Sequence, residues 1–378
     1  RYQQRFGHEW NPGGTYGLPT TETTIADRLK EAGYKTGLVG KWHLGATPEL
    51  HPLKRGFDEF FGFLGGAHTY FAEQTENIFR GTEVVKESAY LTDAFAREAV
   101  DFIERRKGDD APFFLEVAFN AVHTPMDATD ERLARFESIA DPTRRKYAAM
   151  LTALDEAVGA IVGKVRDSGL EEDTLIVYFN DNGGATMLGT TQNGSINAPF
   201  RGSKRTSLEG GIHVPFVLSW KGKLPAGSTY SKPVIQLDVL PTALAAAGVE
   251  VKPEWKLDGV NLLPYLTGAN AGAPHESLYW RMGSQAAVRQ GDWKLVRYDS
   301  AVDTPGVRSN AAAVVVTPFR LYNLAEDPGE AHDLSESHPE KVQALLAAWQ
   351  AWDAQLPEPL WGPNPGGGNR GGAARKGE

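Results

Sequence analysis

Gly33-Tyr-Lys-Thr-Gly-Leu-Val-Gly-Lys-Trp-His-Leu-Gly45 carries a short apolar run, Thr36 to Val39, that hands over directly to Lys41 and His43. Glycines 33, 37 and 40 bound or interrupt the run, and glycine lets a backbone turn sharply at a sheet's edge. Lys41 and His43 are two residues apart, so an extended backbone would point both side chains the same way. Lysine offers a compact positive charge with three donors, and histidine donates, accepts or exchanges a proton near neutral pH. Together they read as an anion site at a strand's exit. Read alone, the same pattern also describes a solvated lysine beside a packed histidine.

Outward from this stretch, helices and strands alternate. Thr24 to Ala32, with Ile25 and Leu29 four apart, predicts an amphipathic helix before the strand. A second helix is expected from about Tyr90 to Arg106, ending in Arg-Arg-Lys-Gly, and it leads into the strand-like Phe113-Phe-Leu-Glu-Val-Ala-Phe119. The clearest helix starts at Asp141-Pro142 and runs to about Asp167, with Gly169 as its stop. Its Tyr147, Met150, Leu151, Leu154, Val158, Ile161, Val162 and Val165 fall at helical spacing and are expected in the core. Thr174 to Phe179 is the next expected buried strand, with Asp181 and Asn182 at its end.

This alternation predicts an α/β fold with a mostly parallel sheet sandwiched by helices. Ligands of such sheets bind beyond the carboxyl ends of the strands, where Lys41, His43, His123, Asp181 and Asn182 are all expected. After an expected helix from Gln236 to Ala247 and a turn-rich stretch near Pro264 to Pro274, the texture changes. Leu278 to Arg281, Ala286 to Arg289, Trp293 to Tyr298 and Phe319 to Leu324 read as short strands, followed by a helix from about Pro339 to Trp352. A small C-terminal antiparallel sheet plus helix follows. The expected division is residues 1–270 for the α/β domain, 271–356 for an α+β subdomain and 357–378 for a disordered, glycine-rich tail.

Composition narrows the function. With 378 residues, 41% hydrophobic and 23% charged, the chain can bury a substantial core. A net charge of -9 argues against a nucleic-acid partner, so an anionic substrate must be captured by local positive groups. No apolar run reaches the length of a transmembrane helix, and Arg1-Tyr-Gln-Gln-Arg-Phe-Gly7 is not a signal peptide. The absence of cysteine rules out disulfides and cysteine-ligated metal and chooses no compartment.

Four further motifs follow the Lys41 stretch in order: Asn120-Ala-Val-His123-Thr-Pro125, Phe179-Asn-Asp181-Asn182-Gly-Gly184, Phe200-Arg-Gly-Ser-Lys204 and Glu209-Gly-Gly-Ile-His-Val-Pro215. With them the chain resembles the type I, formylglycine-dependent sulfatases of the alkaline-phosphatase-like superfamily. By itself Asp-Asn-Gly-Gly is also a common turn, three cations near Lys204 are also a solvated surface, and a lone histidine before Thr-Pro is also a packing residue. The resemblance implies more specific roles. Asp181 and Asn182 would ligate one Ca²⁺, a cation that takes six to eight oxygen ligands, with two other ligands from an N-terminal segment this chain lacks. Asp181 would also lie close to the nucleophile. Lys41 and Lys204 would hold the sulfate, and His123 would bind the ester and protonate the departing alcohol. His43 would hydrogen-bond a hydrated formylglycine, one hydroxyl of which attacks sulfur, while both lysines and the metal offset charge on the sulfuryl oxygens. His68, in Gly65-Gly-Ala-His-Thr-Tyr70, lies where relatives often place substrate contacts, and Tyr70, Trp10 and Trp280 are candidates to stack on sugars. His213 is assigned to structure, and Arg201 and Arg205 are left without a role.

The match breaks at the family's nucleophile signature, Cys or Ser followed by x-Pro-x-Arg. The chain has no cysteine, and Ala140-Asp-Pro142-Thr-Arg144 carries alanine at the nucleophile position. The paired aspartates of the family's first strand are also missing, and Arg1-Tyr2 matches the end of a segment that follows the nucleophile in relatives. The expectation is an N-terminally truncated sulfatase, acting in its full-length form on a sulfated carbohydrate or aryl sulfate and inactive as this chain alone. A phosphate mono- or diester hydrolase of the same superfamily and a non-catalytic sulfoglycan-binding protein are the competing readings. Family habit implies a periplasmic or secreted location.

Overall fold

The computed structural model describes residues 17–71, 77–304, 306–309 and 314–357. Arg1-Tyr2, Trp10 and the tail from 358 onward therefore lie outside the described residues. In chain order the elements are α1 (Ile25–Glu31), β1 (Lys35–Lys41), β2 (Glu59–Phe63), β3 (Ile78–Arg80), β4 (Glu83–Val85), α2 (Leu91–Arg106), β5 (Phe113–Ala118), α3 (Asp130–Ala134), α4 (Pro142–Asp167) and β6 (Ile176–Phe179). They continue with α5 (Glu209–Ile212), β7 (Phe216–Ser219), α6 (Val239–Ala246), α7 (Leu263–Leu266), β8 (Ser277–Met282), β9 (Gln285–Gln290), β10 (Trp293–Arg297), β11 (Arg320–Asn323) and α8 (Pro339–Asp353).

The strand inside the opening motif is the centre of the molecule. β1 lies between β2 and β5 and runs parallel to both, in a five-stranded sheet of order β4-β3-β2-β1-β5. β3 and β4 extend it antiparallel at one edge. Successive residues of a strand face opposite sides, and the core divides accordingly. Val39, Phe61 and Phe63 pack with Leu91 and Phe95 of α2 on one face. Leu38 and Phe60 pack with Ala26 of α1, Trp42 and Phe57 on the other. Each buried phenylalanine or leucine contributes about 1.5–3 kcal/mol, so helices on both faces are what this strand pattern requires.

The helix ends follow local chemistry. Thr24 and Asp27 form a reciprocal capping box on α1, and the Asp141 carboxylate accepts from the amides of Thr143 and Arg144 at the start of α4. Gly169, at φ 73°, follows the end of α4. α4 packs on α2, but its core stripe differs from the one expected. Ala149, Met150, Ala153, Leu154, Ala157 and Val165 are buried, whereas Leu151 is exposed and Tyr147, Val158, Ile161 and Val162 are only half-buried. Met150, Leu154 and Val165 are buried as expected, and Ala149, Ala153 and Ala157 complete the packed line.

β6 also departs from expectation. Among the described residues it pairs only with β7, antiparallel, and it is half-buried with Phe179 exposed at its end. The C-terminal sheet, of order β11-β10-β9-β8, is antiparallel throughout. One face, Ala286, Val288, Leu295 and Leu321, takes Leu345 and Trp349 of α8. The other, Ala287, Val296 and Tyr322, packs with Tyr298 and with Leu208 from the loop after Lys204.

The central strands approach so closely that side chains are excluded at Gly40 and Gly62. A Cβ at Gly62 would overlap the Gly40 carbonyl, and one at Gly40 would overlap that of Ala118. Gly62→Ala is expected to lower stability by about 3 kcal/mol in urea unfolding, because backbone rather than a flexible side chain must give way.

Candidate active site

Lys41 closes β1, half-buried, and the chain then turns through Trp42, whose amide donates to the Phe63 carbonyl at 3.0 Å. His43 has φ 56°, a left-handed conformation, and its amide donates to the Leu64 carbonyl at 3.0 Å. The backbone from Lys41 to His43 is therefore not extended throughout, contrary to what the two-residue spacing assumed. The orientation of His43 is set by its turn and by Gly66, where a Cβ would stand 2.5 Å from the imidazole. Only glycine leaves room for the ring.

His123 sits in a tight turn after β5, its amide donating to the Asn120 carbonyl at 2.7 Å. Nδ1 of His123 lies 2.6 Å from the Thr124 carbonyl oxygen. A carbonyl only accepts, so Nδ1 bears the proton and Nε2 is the nitrogen left to meet a ligand. The turn is clamped from two sides. The Tyr70 hydroxyl donates to the carbonyls of Asn120 and His123 at 2.7 and 3.0 Å, and the Asn193 side-chain amide donates to the Val122 carbonyl at 2.9 Å. Tyr70 is completely buried against Tyr90, so it fixes the turn and cannot stack on a sugar. His68 is half-buried, tilted on Phe63 at 5.0 Å, and its carbonyl accepts from Asn120 at 3.4 Å. Trp280 is half-buried against the C-terminal core.

Asp181 and Asn182 follow β6. The Asn182 amide donates to Asp181 Oδ1 at 3.0 Å, and the Asn182 side chain donates from Nδ2 to the Gly183 carbonyl at 3.0 Å. Lys204 is joined to this segment by backbone, its amide donating to the Gly184 carbonyl at 3.0 Å. Asn197 brackets the joint, accepting from the Gly184 amide and donating to the carbonyls of Gly184 and Gly202 at 2.9–3.0 Å. The buried Ser203 hydroxyl accepts from the amides of Thr186 and Met187 at 2.9 and 3.2 Å.

Four of the expected residues share one electrostatic environment. Burial, and more weakly the charges of Lys204 and Lys41, lower the His123 pKa, with the hydrogen bond to the Thr124 carbonyl and then Asp181 opposing them. Burial likewise lowers the Lys204 pKa, Asp181 opposing, and Lys41 and Arg205 adding to the shift. Lys41, His123, Asp181 and Lys204 thus form one group, with Asn182 adjacent to Asp181 and His43 two residues beyond Lys41. Arg201 turns away to Asp303 and the Tyr322 hydroxyl, at 2.9 and 3.0 Å. His213 stacks on Phe200 at 4.2 Å and bonds Glu209 at 2.9 Å, a packing role.

Among the described residues no group of three carboxylate or imidazole side chains is placed to hold a metal ion. Asp181 and Asn182 offer two oxygen-bearing side chains, which suits a hard cation and supplies part of its shell. A separate cavity of about 350 Å³, lined by Lys232, His275, Glu276, Arg289 and Asp292, contains none of these residues. Asn193, Asn197 and Ser203 are the site-building residues the sequence did not single out. They lie in a polar loop whose composition alone is that of any surface turn.

Comparison with known proteins gives the family. The family model "Sulfatase" matches residues 1–249, and the model "N-sulphoglucosamine sulphohydrolase, C-terminal" matches residues 202–350. N-acetylgalactosamine-6-sulfatase of Homo sapiens is 31% identical over 87% of this chain and 67% of its own length. An uncharacterized sulfatase of Escherichia coli is 33% identical, over 74% of this chain and 53% of the relative. Among solved structures, Ps i-CgsB in complex with k-i-k-neocarrahexaose superposes with a TM-score of 0.82 at 34% identity, covering 96% of this chain and 81% of that one.

The cationic group makes a direct prediction. Removing one positive neighbour in Lys204→Met should raise the His123 pKa toward the ordinary imidazole value, read from its ring-proton NMR titration. An unchanged or lower pKa would show that the two side chains do not sense each other.

Proposed function

The chain belongs to the sulfatase family, hydrolases of sulfate esters, and from that premise we propose that Lys41, Lys204 and His123 grip the sulfate ester of a carbohydrate. The observation that carries this reading is the convergence of two ammonium groups and an imidazole in a chain of net charge -9. Such a group captures an anion locally against an unfavourable global field. The carbohydrate part of the reading is supported by the N-acetylgalactosamine-6-sulfatase relatives and by the neocarrahexaose bound in the structural neighbour.

In this reading the two lysines neutralise the sulfuryl oxygens, whose charge shifts as the ester bond breaks. Nε2 of His123, with its tautomer fixed by the Thr124 carbonyl, takes a proton when the anion binds and delivers it to the departing alcohol oxygen. His43, seated on Gly66, would face the family's nucleophile, and His68 would contact the leaving group. Asp181 and Asn182 would hold a calcium ion, which supplies Lewis-acid charge to the sulfuryl group. No Cys or Ser followed by x-Pro-x-Arg occurs in the 378 residues, so the chain on its own supplies the grip and the acid but not the family's nucleophile. No described helix is long and apolar enough to cross a membrane. A periplasmic or secreted location fits a polymeric sulfated substrate.

Isothermal titration with 4-nitrocatechol sulfate tests the grip. Lys41→Ala and Lys204→Ala should each weaken binding by about 10- to 100-fold, the loss of one charge-assisted contact of roughly 1.5–3 kcal/mol. Parent-like affinity in both variants would refute the assignment. The unaltered chain should bind the ester without turnover, and hydrolysis at a sulfatase rate would show that a nucleophile is present within these residues.

A further inference from the structure

Glu209, Lys294 and Glu330 form a buried charge triad between the C-terminal sheet and the loop that bears Lys204. Lys294 Nζ lies 2.7 Å from Glu209 Oε1 and 2.9 Å from Glu330 Oε1, and the Lys294 and Glu330 side chains are 0% exposed. The second oxygen of Glu330 accepts the Glu209 backbone amide at 2.6 Å. His213 Nδ1 on Glu209 Oε2 at 2.9 Å, and Arg289 at 3.8 Å, complete the surroundings of the Glu209 carboxylate. Burial opposes the charge on Lys294, but the two carboxylates outweigh it and raise its pKa, so the ammonium stays charged.

Lys294 and Val296 are two apart on β10 and face the same side, the side on which Val296 meets Leu208. A buried ion pair is often replaceable by apolar packing without loss of stability, whereas it fixes a specific arrangement of the backbones that carry it. What this triad fixes is the joint beneath the site. One residue beyond Glu209, the Gly210 amide donates to the Arg201 carbonyl at 2.7 Å. The Gly211 carbonyl accepts the Gly183 amide at 2.9 Å, and the Lys204 amide donates to Gly184 at 3.0 Å. Three backbone segments, 181–184, 201–204 and 209–211, are thereby stacked so closely that a Cβ on Gly183 would overlap the Gly210 carbonyl.

We propose that Lys294 is a positioning residue for the sulfate grip, anchoring Glu209 so that the stacked segments hold Lys204 against Asp181. The proposal rests on the assignment of Lys204 to the anion. Lys294 itself touches no substrate. It acts from the C-terminal sheet, 85 residues away from Glu209 in sequence.

Two variants of the full chain separate positioning from bulk stability. Glu330→Gln keeps the Lys294–Glu209 pair, and the double variant Lys294→Met/Glu330→Gln removes the ammonium without leaving Glu330 charged and buried. Amide exchange by mass spectrometry should accelerate at least about tenfold in peptides covering 181–211 of the double variant, while β1 and β5 and the whole of Glu330→Gln stay within about twofold of the parent. Unchanged exchange in 181–211 would overturn the proposal, as would equal acceleration in β1 and β5, which would make Lys294 a tie for the whole fold. Titration with inorganic sulfate should show about tenfold weaker binding in the double variant and near-parent affinity in Glu330→Gln. Equal affinity in all three proteins also overturns it. Failure of the parent chain to bind sulfate would strike the anion assignment instead, with the exchange result still deciding whether Lys294 orders the joint.

Discussion

Two lysines and a histidine held within one another's fields are costly to assemble. Each loses hydration on burial and each disfavours the charge on the next, which is why the His123 and Lys204 pKa values both fall. Nothing in local propensity brings them together. The structure does so by delivering them on three separate segments, the end of β1, the turn after β5 and the loop after β6; β1 and β5 are paired in the sheet, and the Asn193 side chain ties the later loop to the His123 turn. Asp181 relieves part of the repulsion, and an anion would relieve more. The same field that is unfavourable to these cations is what a sulfuryl group would find favourable.

Rigidity is therefore the second requirement. Three like-charged side chains on mobile loops would drift apart, whereas here polar groups are spent on holding backbone. Tyr70 and Asn193 secure the His123 turn, Asn197 and Ser203 the Lys204 loop, and the Glu209–Lys294–Glu330 triad the joint beneath. Glycine serves the same end where backbones or rings must touch, as at Gly66 under the His43 imidazole. The site is built on a parallel-sheet core whose two faces are filled by α1 and α2, and its far side leans on the C-terminal sheet.

Much of this was legible in the sequence because the signals were local. Asp141-Pro142 and Gly169 bracket α4, and the run Phe113 to Ala118 declares itself as a strand. The ordered motifs around Lys41, His123, Asp181 and Lys204 pointed to the residues that the structure brings into one field. What was not legible depended on distance along the chain or on backbone conformation. Lys294 looks like an exposed residue of a half-buried strand until its partners, Glu209 and Glu330, are placed against it in space. The positive φ of His43 cannot be read from spacing, and it breaks the extended backbone that the two-residue spacing assumed. On α4, Met150, Leu154 and Val165 are buried as expected, but Leu151 is exposed and the rest of the packed line is taken by alanines.

The central claim is that Lys41, Lys204 and His123 form a pre-assembled anion site in which protonation of His123 is disfavoured until an anion arrives. Calorimetric titration with sulfate near neutral pH, repeated in buffers of different ionisation enthalpy, measures it most directly through the protons exchanged on binding. Because the anion would raise the lowered pKa of His123, and in more alkaline solution that of Lys204, the account predicts net proton uptake that is lost in His123→Ala at neutral pH. Binding without proton uptake, or no binding at all, would contradict it.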